Sequence, residues 1–329
     1  MQSVSTNKYF SMNLYLSVII IAVIFVSCNK EPSDEFYVDP NNPVNDTAWR
    51  DNVLPDAPVN KIFQLFTPST QTDSFDVQRD HKLLFNDYLQ ITFPGNACEG
   101  QNGEKISGWA KIKVDYLETK GDLIRFRRST TSDDKLLESG GVFNIEVTQN
   151  GQQLKIASNK FIIIRYRNSK TDTDMKVFYG DTTVANIDSF TWVPATDVER
   201  VNTWSDSGIG GYEMFSKRFN WINCDKFADT DPNTKLFATL PVNFTNNNTT
   251  VYIVFKDMLS VVRMYPDVDN RLFYFNNLPL SNVTIVSISK IGDNLYLGTK
   301  QTTVTENLVV KLSPEKKTEK EITDYINSL

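Results

Sequence analysis

The stretch Gly108-Trp109-Ala110-Lys111-Ile112-Lys113-Val114-Asp115-Tyr116 constrains the fold more than any other. Ala110, Ile112, Val114 and Tyr116 fall on one side, and Lys111, Lys113 and Asp115 on the other. That period of two belongs to a half-buried β-strand. The pattern recurs in Val142–Thr148, where Phe143, Ile145 and Val147 share a face. Asn150-Gly151 is a hairpin turn signal, and Gln153–Ile156 returns from it. Lys160–Arg167 (KFIIIRYR) reads as another strand with an apolar centre. A second series comprises Leu236–Pro241, Thr250–Phe255, Leu272–Phe275, Val283–Ile288, Asn294–Gly298 and Leu308–Leu312, with a hairpin tip at Gly292-Asp293-Asn294. Pro241 and Pro279 end strands rather than interrupt them. With 21 Phe, 13 Tyr and 5 Trp against 14 Gly in 329 residues, a substantial core can be built. Short strands with turn signals between them predict an all-β chain of antiparallel β-sandwich-like domains.

The strand series is interrupted by polar Ser169–Asp174 and a turn at Gly180-Asp181. This predicts a first β-sandwich domain over 61–183 and a second over 184–329. Ser313-Pro314 reads as a cap with Pro at the first helical position, and Ile322, Tyr325, Ile326 and Leu329 follow at helical spacing. A short C-terminal helix is therefore expected. Residues 28–60 contain Pro32, Pro40, Pro43, Pro55 and Pro58, with no apolar period. They read as a flexible tether that would reach ~100 Å fully extended.

Leu14–Val26 is an apolar run of 13 residues. As a helix it would be ~20 Å long, against ~30 Å for a bilayer core, so it suits a signal peptide better than a span. Phe25-Val26-Ser27-Cys28 resembles a lipobox, with Phe25 where Leu is usual. The resemblance implies a lipoprotein signal peptide over 1–27 and acylation of Cys28, which anchors the chain in a membrane. Asn29 departs from the inner-membrane retention signal. Lys30-Glu31 and Asp34-Glu35 resemble the export tags of Bacteroidetes surface lipoproteins, and Asp46-Thr47-Ala48 resembles their O-glycosylation sites. The expected location is the outer membrane; surface exposure, as the tag-like residues suggest, and a periplasmic face, with those residues an ordinary acidic tether start, both stay open.

Further residues carry a likeness over roughly 85–312. Gly121-Asp122-Leu123-Ile124, Thr130-Thr131-Ser132, Leu137-Glu138-Ser139-Gly140-Gly141-Val142-Phe143 and Asn150-Gly151-Gln152-Gln153-Leu154 resemble a module of Bacteroidetes lipoproteins. Trp221-Ile222-Asn223-Cys224-Asp225-Lys226-Phe227 is similar to the second half of those proteins. The resemblance implies architecture and location, and no catalytic residues. The first module also resembles the ZU-type β-sandwich, which mediates protein contacts.

The chemistry is bounded by what is scarce. His81 is the sole histidine, which excludes HExxH and leaves at most His81, Cys98 and Cys224 for a zinc site. There is no Gly-x-Ser-x-Gly elbow, no Walker A motif, and Glu213 stands where a dinucleotide fingerprint after Gly208-Ile209-Gly210-Gly211 needs glycine. Asp229-Thr230-Asp231-Pro232-Asn233 begins like a calcium loop, but Thr234 and Leu240 occupy its required Gly and Glu positions. An irregular calcium site at Asp229 and Asp231, or Asp267 and Asp269, is the weaker reading beside acid-rich turns. No cofactor is expected. A net charge of −6 without a basic run argues against nucleic acid as a partner. Cys98 and Cys224 are an even pair that could close one disulfide, but the apolar neighbours of Cys224 favour two separate buried thiols.

These features point to a non-catalytic binding or scaffolding role with a glycan or an envelope protein as partner. The alternatives are a glycan-acting hydrolase using paired carboxylates, which have no local signature, or an assembly subunit of a surface apparatus. The aromatic-rich segment Trp192–Phe227 supplies the candidate ligand site. Trp204 and Tyr212 flank Ser205–Gly211, read as a long loop, and are expected to stack on a ligand with Asp206 and Glu213 as polar partners. The competing reading has these rings capping a core.

Overall fold

The computed structural model describes residues 47–66, 70–181, 190–196 and 198–329. The expected signal peptide, Cys28 and tether residues up to 46 lie outside them. Fifteen strands come first: β1 (Gln71–Asp76), β2 (His81–Phe85), β3 (Leu89–Phe93), β4 (Cys98–Glu99), β5 (Trp109–Leu117), β6 (Thr131–Ser132), β7 (Lys135–Gln149), β8 (Gln152–Gln153), β9 (Lys155–Ile156), β10 (Ile162–Arg167), β11 (Lys176–Gly180), β12 (Trp192–Pro194), β13 (Arg200–Asp206), β14 (Ile209–Ser216) and β15 (Asn220–Phe227). Nine follow: β16 (Lys235–Thr239), β17 (Thr249–Phe255), β18 (Val261–Arg263), β19 (Tyr265–Asp267), β20 (Leu272–Asn276), β21 (Asn282–Ile291), β22 (Asn294–Thr303), β23 (Leu308–Lys311) and β24 (Glu315–Lys317). Helices are short: α1 (Pro58–Lys61), α2 (Lys120–Arg125) and α3 (Glu319–Asn327). The chain is all-β and, apart from the parallel pair β16–β23, its ladders are antiparallel among the described residues.

The first sandwich packs the sheet β1-β5-β7-β15-β11-β12 against the sheet β13-β14-β10-β3-β2. Their facing side chains, among them Phe75, Ile91, Phe143, Ile164, Tyr166 and Ile222, form one core. The second sandwich packs β19-β20-β16-β23 against β18-β17-β21-β22-β24 around Leu236, Ile253, Phe255 and Phe275. A third core joins the two. In β17, Val251, Ile253 and Phe255 point into the second sandwich while Tyr252 and Val254 point the other way. In β11, Val177 and Tyr179 point into the first sandwich and Phe178 away from it. The outward residues of these two inner sheets meet, together with α2, α3 and residues 57–66. Strands covered on both faces read as continuous apolar runs, which explains the fully buried β17.

The division expected near residue 183 is not where the sheets change. Residues 168–175 connect β10 to β11, which lie in facing sheets of the same sandwich, and β15 inserts between β7 and β11. The first sandwich therefore runs to Phe227, and the change falls between Phe227 and Lys235. The described residues from 47 to 329 form one compact unit.

Two further expectations change. Within the tether, residues 47–60 belong to the folded body. The Asn246 side chain accepts from Arg50 N at 2.9 Å and donates to Arg50 O at 2.6 Å, imitating a strand partner. Trp49 packs on Phe273, and Val59 is fully buried. At the other end, Ser313-Pro314 does not start the helix, because Glu315–Lys317 pairs with β22. Thr318 caps α3 instead, in a capping box with Glu321.

Candidate functional site

Strand alternation sorts the four residues proposed from sequence. Ser205–Gly211 is no long loop. β13 and β14 form a tight hairpin whose central residues, Ser207 and Gly208, have φ of 48° and 85°. That is the geometry of a type I′ turn, which glycine accommodates without strain. Trp204, Asp206, Glu213 and Asn202 project from the outward face of the sheet, while Tyr212 projects into the core.

Tyr212 is therefore no ligand clamp. Its ring is fully buried, 5.7 Å from that of Tyr166. Its hydroxyl accepts from Asp172 N at 2.7 Å and donates to Lys170 O at 3.3 Å. Burial pushes its pKa up to about 12. Asp206 is exposed at the hairpin end and accepts from Ser207 Oγ at 3.0 Å.

Trp204 has a different fate. Across the sheet it sits opposite Gly211, which sits opposite Arg167 on β10. Its indole Nε1 donates to Tyr212 O at 3.2 Å, and the Arg165 guanidinium lies 4.3 Å from the ring centroid. The indole thus crosses β14 at the position where Gly211 has no side chain. An added Cβ there would collide with the carbonyl of Tyr166. The result is a half-buried ring fixed in place by one hydrogen bond and one cation–π contact.

The same arrangement is repeated over this face. The Arg167 guanidinium lies 5.1 Å from the exposed Tyr88 ring, Arg200 lies 4.0 Å from Phe215, and the Lys217 ammonium lies 5.0 Å from Phe161. Ile163, Gln90, Thr92 and Lys82 fill the rows between. Leu84, Tyr88 and Ile209 are large apolar side chains exposed along it. From β13 to β3 the face spans three strand spacings, ~14 Å. Of the four residues expected from sequence, Trp204, Asp206 and Glu213 lie on this face; the arginines are not among those expected. The signal was present in KFIIIRYR, where Ile163, Arg165 and Arg167 alternate with buried Ile162, Ile164 and Tyr166.

Elsewhere the chemistry-bearing residues are structurally engaged. His81 Nε2 accepts from Asp76 N at 3.3 Å, and its ring meets Phe75 edge-on. Cys98 and Cys224 are free and buried, and burial pushes the Cys98 thiol up to about 12. Asp231 and Asp267 accept from Asn233 N and Asn270 N within their turns. No group of three or more His, Cys, Asp or Glu fit to hold a metal occurs among the described residues. The cleft lined by Glu138, Asp174 and Asp229 also contains Lys226, which bridges Glu138 at 3.3 Å and Asp172 at 2.7 Å. The Lys226 ammonium holds the Asp172 carboxyl below its usual range, the opposite of what a general acid needs.

No helix among the described residues is long and apolar enough to cross a membrane. No family model matches this chain, and no curated protein does. Among solved structures, the Bacillus anthracis TIE protein is similar over 76% of this chain and 41% of its own length, at 10% identity and a TM-score of 0.18. The chain thus spans less than half of that protein, and a likeness at that score carries no argument.

Proposed function

We propose that this is a lipid-anchored outer-membrane protein, held by acylated Cys28 and exposed at the cell surface, whose β body binds a glycan or a protein without catalysing a reaction. The observation that supports this reading is the outward face of β13-β14-β10-β3-β2. It carries Tyr88, Leu84 and Ile209 in the open beside half-buried Trp204, with guanidinium groups over rings rather than tied to carboxylates. Rigid strands fix these groups before a ligand arrives, which lowers the ordering cost of binding. The lipobox-like Phe25–Cys28 supports the anchor. The resemblance to Bacteroidetes lipoproteins supports the location.

The test uses intact cells carrying wild type, Cys28→Ala or Trp204→Ala. Wild type should be acylated by mass spectrometry, remain with the outer membrane and retain glycans or proteins on a capture array. Cys28→Ala should lose acylation and leave the membrane fraction. Trp204→Ala should stay anchored but lose capture. An unacylated wild-type N-terminus overturns the anchor, and undiminished capture by Trp204→Ala overturns the site.

A further inference from the structure

We propose that the outward face of β13-β14-β10-β3-β2 takes an anionic polysaccharide of the uronic-acid type, an inference that rests on the binding role above. The chain as a whole is acidic, at −6. This face reverses the sign: Lys82, Arg165, Arg167 and Arg200 project from it against Glu213 and the strand-end Asp206. None of the three arginines forms an ion pair within the described chain; each guanidinium lies over a ring. A guanidinium whose face is taken up by a ring still has its in-plane N–H groups to offer. That edge matches a carboxylate bidentately, a match an ammonium cannot make.

The spacing favours a polymer over an isolated anion. Arg165 and Arg167 are two residues apart on β10, ~7 Å, and both face the same side. Arg200 and Tyr88 lie toward opposite ends of the surface, and exposed Leu84 and Ile209 border it. Sugar rings present apolar C–H faces to such side chains, while their carboxylates meet the arginines. Between the arginines the strand positions carry Gly211, Ile163, Gln90 and Thr92, and Glu213, opposite Arg165, is the one carboxylate within these strand rows. An acidic peptide would place its carboxylates on flexible side chains and lose more rotamer freedom on binding.

The experiment titrates the full chain in neutral detergent with polygalacturonate and, in parallel, with its fully methyl-esterified form, which keeps the sugars and removes the charge. Polyglutamate is the third probe. Polygalacturonate should bind at least about tenfold more tightly than the ester. Arg165→Lys/Arg167→Lys, which keeps the charge and loses the fork, should weaken it about tenfold with an unchanged melting temperature. Equal binding of acid and ester overturns the uronate inference and leaves the binding role standing. Tighter binding of polyglutamate also overturns it, in favour of a protein partner. An undiminished double-lysine variant overturns guanidinium recognition. Failure of all three probes, together with an empty capture array, overturns the inference and the binding role.

Discussion

A single carboxyl illustrates how burial turns into pH dependence. Asp225 sits on β15 beside a register shift in the pairing with β7. Its Oδ2 accepts from Asn223 Nδ2 at 2.5 Å, and its Oδ1 has no hydrogen-bond partner. Complete burial raises its pKa well above the usual carboxylate range. The folded chain therefore holds this proton more tightly than the unfolded chain does. Its contribution to stability is fully present below the unfolded value of 3.8 and is lost as pH rises through the folded value. Asp225→Asn removes the titration while keeping an acceptor for Asn223. Melting curves from about pH 5 to about pH 8 should show wild type losing stability relative to the variant as pH rises. Parallel curves for the two proteins would show that Asp225 does not titrate over this range.

At the scale of elements, much of the fold was legible. Alternation located β5 and β7, apolar strand-like runs located β10, β17 and β21, and Asn150-Gly151 announced its turn with φ of 51° and 81°. Ser207-Gly208 makes the same turn without the asparagine signal, so a hairpin passed for a loop and Tyr212 for a ligand group. The domain boundary was illegible for a related reason. A polar stretch reads alike whether it links two domains or crosses between two sheets of one, and only the insertion of β15 between β7 and β11 decides it. The C-terminal helix was foreseen from its apolar spacing, while its cap was displaced because β24 pairs first. Thr318 accepts from Glu321 N at 3.2 Å, and Glu321 reaches back to Thr318 N at 2.7 Å. Thr318→Ala should cost about 0.5–2 kcal/mol. It should speed amide exchange across Glu319–Asn327, and unchanged exchange there would show that packing of Ile322 and Ile326 suffices.

For the whole molecule, the decisive feature is the segment that precedes the first strand. Residues 49–66 lie along both sandwiches: Trp49 and Arg50 engage Phe273 and Asn246 of the second, and Asn60 accepts from Arg127 Nη1, next to α2 of the first, at 2.9 Å. Asn246→Ala removes two hydrogen bonds and should lower stability by about 1–3 kcal/mol. It should also hasten tryptic cleavage after Arg50, and resistance equal to wild type would show that the apolar contacts alone hold the segment. Were the body moored at Cys28 as proposed above, tension would enter the described fold at the Arg50–Asn246 pair and the Trp49–Phe273 contact, both on the second sandwich, so that sandwich would bear the mooring load ahead of the first.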